Sequence, residues 1–192
     1  MRKQIILALL LFFIVVLTIS VWFLIKSNHS VNFDNQKFTL KYSRVLHGGN
    51  IILNEYTPKN ETLENWTQLL TVNYYPNSKE NLEYLSDSHI AGLQKSYGEK
   101  MKILADNDKG KLIVKSFIIV NKDYTEYDAL CYTKHKGSYY YLQFIKKYKY
   151  NNMNELKEQS MKLLRENQKY LGLIENKTAN YRPTPLFMDY EE

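Results

Sequence analysis

Apolar residues fill the chain from Ile5 to Ile25 with only Thr18 and Ser20 interrupting, and no charge falls inside the run. As a helix rising 1.5 Å per residue, such a run is roughly 30 Å long, about the thickness of a bilayer's hydrocarbon core. Arg2 and Lys3 precede it and Lys26 follows it. The pattern predicts a transmembrane signal anchor over 5–25. The basic pair predicts a cytoplasmic N-terminus at 1–4 and a body outside the cytoplasm. Cleavage after Ser20, or nearer Ser27 to Ser30, giving a secreted protein, is the alternative. Bulky Val21 to Ile25 continue the run past Ser20, which favours retention over cleavage.

Beyond a polar spacer at 26–35, the periodicity changes to two. Phe38, Leu40 and Tyr42 alternate with polar residues, as in a half-buried strand. His47-Gly48-Gly49-Asn50 reads as a hairpin connection into Ile51 to Tyr56, and Pro58 stops that strand. Asn60 to Asn65 is a polar turn before a third strand, Trp66 to Tyr75. The period then becomes helical. Leu82, Leu85, His89, Leu93 and Tyr97 form one stripe, with Ser78 as a cap and Gly98 as a stop. Four strands follow: 101–105, 112–120, 125–133 and 139–148. Their short connections predict an antiparallel meander. A last helix, capped by Asn154, carries Leu156, Met161, Leu163, Leu164 and Tyr170 and closes at Gly172. The tail over 175–192 holds Pro183 and Pro185 and reads as irregular.

The predicted fold class is α+β: an antiparallel sheet of about seven strands flanked by two main helices, after an N-terminal transmembrane helix. The domain spans 36–174. This element order resembles the architecture shared by Mog1 and the photosystem protein PsbP. The stretch from Asn54 to Val72, with Glu64-Asn65-Trp66-Thr67 at its centre, resembles uncharacterised exported bacterial proteins. The resemblance implies a fold and an exported setting, and brings no activity with it.

Composition changes the picture in three places. The formal charge is +6, but Arg2, Lys3 and Lys26 supply three charges and residues 1–30 hold no acid, so the body carries +3. That excess is too mild to point to nucleic acid, although Tyr139-Tyr-Tyr141 followed by lysines would suit a single-strand platform. The single cysteine, Cys131, permits no internal disulfide and lies in an apolar strand pattern as a buried thiol, with an intermolecular bridge as the alternative. The 17 tyrosines fit a strand-rich body.

Candidate chemistry is sparse. His29, His47, His89 and His135 stand in no metal-binding spacing. No nucleophile motif surrounds Cys131, and Gly48-Gly49 lacks the lysine and helix of a phosphate loop. His89 reads as a half-buried packing residue. His47 and His135 share a site only if their turns are neighbours. The possible binding corner is Glu61, Glu64 and Trp66, with core packing favoured for Trp66 itself. No catalytic, cofactor or metal residue is assigned, and no cofactor is expected. The leading expectation is a non-catalytic accessory or binding protein in a bacterial envelope, tethered to the inner membrane, with a protein partner and no nucleic acid. An immunity-type protein against an envelope-targeted toxin is the alternative. A small hydrolase is third.

Overall fold

The computed structural model describes residues 12–16, 30–76 and 78–180, and the backbone of 190–191. Strands β1 (Ser30–Phe33), β2 (Gln36–Leu46), β3 (Ile51–Pro58) and β4 (Gln68–Tyr75) precede helix α1 (Leu82–Tyr97). Strands β5 (Met101–Asp108), β6 (Leu112–Val120), β7 (Tyr124–His135) and β8 (Ser138–Lys149) follow, then helix α2 (Met153–Asn180) and the short strand β9 (Tyr190–Glu191). One antiparallel sheet takes all nine strands in the order β1-β2-β3-β4-β8-β7-β6-β5, and β9 pairs β2 at Tyr42 and Ser43. The α+β class with an antiparallel sheet and two helices is as the pattern predicts.

Three differences from the sequence reading have local causes. Among the described residues the sheet has nine strands, not about seven, and one of the extra two lies in the expected spacer. Val31 and Phe33 alternate with polar residues and are buried, and the pair Asp34-Asn35 turns β1 into β2 with positive φ at both residues. Two apolar residues in a polar stretch are a weak periodic signal. Next, α2 runs past Gly172 to Asn180, six residues into the expected irregular tail. Leu171, Ile174 and Thr178 continue its buried stripe, and Gly172 sits on the exposed face. The remaining strand, β9, also falls in that tail. The helix caps lie a few residues from those expected: Asn81 Oδ1 accepts from the Tyr84 N–H at 2.6 Å, and Asn152 Oδ1 from Asn154 and Glu155, both at 3.0 Å.

The central strands are buried on both faces, as their continuous apolar runs require. On one face α2 covers a core of Phe33, Phe38, Leu70, Leu142, Phe144 and Leu163, among others. Cys131 belongs to that core, fully buried, and burial pushes its thiol up to about 12, so it stays protonated. On the other face α1 covers Ile90, Ile113, Phe117, Leu130, Tyr132 and Tyr141. His89 is half-buried there, as its stripe predicts. It shares a 2.8 Å hydrogen bond with the Tyr132 hydroxyl and stacks on Tyr141 at 4.9 Å.

Among the described residues no helix is long and apolar enough to cross a membrane. The expected anchor over 5–25 lies outside the described residues, except for the exposed helical residues 12–16.

Candidate functional site

Strand direction sets two ends to the sheet. One end gathers the β1–β2 turn, the β3–β4 connection, the β6–β7 turn and the start of α2. The Glu61–Trp66 corner stands there. Pro58 cannot continue the ladder as a donor, so the chain leaves β3 and re-enters as β4 at Gln68, two residues after Trp66.

Glu61 holds this connection together. Its carboxylate accepts from the Thr67 N–H at 2.7 Å, the Thr67 hydroxyl at 2.5 Å and the Gln68 N–H at 3.2 Å. The Thr57 hydroxyl donates to the Glu61 carbonyl at 2.9 Å, and the Glu61 N–H donates to Pro58 at 2.9 Å. Charge-assisted bonds of this kind are the strong ones. Glu61 is therefore spent on positioning Trp66 and Thr67, whereas Glu64 is exposed at the tip.

Trp66 is half-buried and belongs to neither core. This corrects the expectation of core packing. Because β4 begins only at Gln68, the indole lies beyond the ladder rather than under a helix. The Lys147 ammonium sits over its ring, 3.8 Å from the centroid, and 5.4 Å from the Tyr124 ring. The Lys147 N–H donates to the Thr67 carbonyl at 2.8 Å, which registers β8 against the corner. A cleft of about 360 Å³ opens between residues 65–68 and 146–149. Lys147 and Tyr124 were not legible as partners of Trp66, because only the β4-β8-β7 order brings them to it.

The same face of β7 carries two acids beside the corner. Glu126 pairs across the ladder with Lys147. Burial raises its pKa, and the Lys147 charge opposes that rise. Asp128, two residues on, is buried, and Gln143 Nε2 donates to its Oδ1 at 2.7 Å. Among the described residues its Oδ2 has no partner. Burial first, and then the nearby Glu126, hold its carboxyl well above the usual range.

The histidines do not converge. His47 lines a cleft with Tyr75 and Pro76, and His135 lines another beside Lys134. His29 lies outside the described residues. Among the described residues no group of three His, Cys, Asp or Glu side chains could hold a metal ion. Chemically, the corner offers an aromatic face, a cation and polar edges on a rigid connection, a combination suited to recognition.

A family model matches residues 25–177, which is most of the chain. The chain belongs to an uncharacterised protein family. Its match covers strands β1 to β8, helix α1, helix α2 up to Lys177 and the Trp66 corner. No curated protein matches the chain in sequence. Among solved structures it is similar to a point mutant of the protein Mog1, at 13% identity over 72% of this chain and 94% of that one, with a TM-score of 0.44.

Proposed function

We propose that this protein is a membrane-tethered, extracytoplasmic binding or accessory protein of a bacterial envelope, acting without catalysis and holding its protein partner at the Trp66 corner. The observation that carries the reading is Trp66 itself. A large aromatic stands outside both cores, under the Lys147 cation, on a connection that the Glu61 carboxylate clamps at three points. Rigid, half-exposed tryptophans are favoured as interface anchors. The apolar run over 5–25 supports the tether.

A reporter fused after Glu192 is expected to be active only outside the cytoplasm, with the protein staying in membranes through a high-salt wash. Release of a form beginning near Val21 overturns the tether. For the corner, half of an aromatic side chain is about 100 Å², which at ~25 cal/mol per Å² sets a ceiling of about 2.5 kcal/mol on the loss of stability in Trp66→Ala. That lies below the roughly 3–5 kcal/mol of a core aromatic. The variant should stay folded while a photo-crosslinker at Glu64 no longer captures the partner. Capture at the wild-type level would remove Trp66 from the interface.

A further inference from the structure

The opposite end of the sheet carries a larger cleft, of about 630 Å³. On β8, Tyr139 and Lys147 are eight residues apart, so this cleft lies roughly 27 Å from the Trp66 corner. It opens where four elements end together: the β5–β6 turn, the β7–β8 hairpin, the start of α1 and the end of α2. Its size falls within the range of small-molecule sites, about 300–1,000 Å³.

The walls are amphipathic. Leu82, Leu112, Tyr139 and Tyr140 supply apolar and aromatic surface. The charged lining is of one sign: Lys111 and Lys134 line the cleft beside His135, and among the described residues no carboxylate does. Lys134 lies over the Tyr139 ring at 4.8 Å, and neither lysine is held in an ion pair among the described residues. The nearby acids are already committed. Glu175 is bound by Lys109 at 2.6 Å, and Asp108 Oδ1 accepts from the Gly110 N–H at 2.6 Å. The end of α2 would oppose an anion, but two of its carbonyls are taken: the Tyr140 hydroxyl donates to Thr178 at 3.1 Å, and the Asn180 amide to Asn176 at 3.0 Å. α1 presents its N-terminal end, whose partial charge is positive, through Leu82.

The walls are held in shape. Lys136 and Gly137 both take positive φ in the tight hairpin, and the Thr133 hydroxyl donates to the Lys111 carbonyl at 3.1 Å, tying the two turns together.

We propose that this cleft binds an organic phosphate with an apolar body, its phosphate held by Lys111 and Lys134 with an N–H of His135, and its body against Tyr139, Leu112 and Leu82. The phosphate comes from a lipid headgroup or from a soluble ester. The headgroup source rests on the tether reading, and the soluble source does not.

The test uses the full chain in phosphatidylcholine nanodiscs, titrated with 1-naphthyl phosphate and followed by ³¹P line broadening and calorimetry. Saturable binding at one site per chain is expected, with 1-naphthol and inorganic phosphate each at least about tenfold weaker. Charge-assisted bonds are individually worth that factor or more. The double variant K111Q/K134Q is expected to lose at least about tenfold in affinity, while K100Q/K102Q, on exposed lysines at the other end of the sheet, leaves it unchanged. Equal binding of 1-naphthol, an unchanged affinity in K111Q/K134Q, or an equal loss in K100Q/K102Q overturns the proposal. Phosphatidylglycerol in the nanodiscs separates the sources. A headgroup ligand blocks the naphthyl phosphate, and a soluble one leaves its affinity unchanged. A reporter found inside the cytoplasm would remove the headgroup source and leave the cleft result standing.

Discussion

Asp128 gives the sharpest stability prediction. Its carboxyl is buried on β7, with one oxygen bonded to Gln143 and the other without a partner among the described residues. The groups that face it are Glu126 on its own strand, Gln143 on β8, and Tyr97 at the end of α1. A carboxyl whose folded pKa lies above its unfolded value of about 3.9 stabilises the fold most below that pH. The folded protein keeps a proton that the unfolded chain releases, and the contribution is lost as pH rises through the folded pKa. Asp128→Asn preserves the shape and the acceptor for Gln143 while removing the charge. The substituted amide keeps a polar atom in place of Oδ2, so what the variant removes is the extra cost of burying a charge, on the scale of one uncompensated buried group, about 1–3 kcal/mol. A domain of this size moves by about 2–4 °C per kcal/mol, so Asp128→Asn should melt about 2–12 °C higher at pH 8. The gain should shrink as pH falls toward 4. Thermal melts of both proteins by near-ultraviolet circular dichroism, at several pH values, read this directly. Glu126→Gln melted in parallel separates the neighbouring acid, since the two titrate together. A variant less stable than wild type at pH 8, or a gain independent of pH, would refute the account.

His89 bears the opposite sign. Burial lowers its pKa to about 4, so the unfolded chain takes up a proton below about pH 6.5 that the folded one refuses. Its contribution is present above about 6.5 and lost as pH falls through about 4, and an imidazole proton resonance titrating near 6.5 in the folded protein would contradict this. Leu163→Ala empties a fully buried position on the inner face of α2 and should cost about 2–5 kcal/mol in urea unfolding; less than about 1 kcal/mol would show that α2 collapses into the gap.

Local chemistry made seven strands and both helices legible in the sequence. Alternation at Phe38, Leu40 and Tyr42, the Leu82 to Tyr97 stripe and the Lys136-Gly137 turn each act over a few residues, within reach of a periodic pattern. The Glu61, Glu64 and Trp66 corner was legible as a place, since an acidic turn before a tryptophan is a local feature. What that corner is made of was not. Lys147 and Tyr124 reach Trp66 because β4 lies beside β8, a pairing of residues some 60 to 80 apart, and the β7–β8 hairpin carries Tyr124 alongside. Asp128 reads in sequence as an ordinary strand acid, because alternation assigns a residue to a face but not what covers that face. β1 and β9 are too short to carry a period and exist because β2 offers them an unpaired edge. The cleft beside Lys111 and Lys134 belongs wholly to the tertiary structure. Its walls come from the ends of elements spread from Leu82 to Ala179, and no stretch of sequence contains more than part of it.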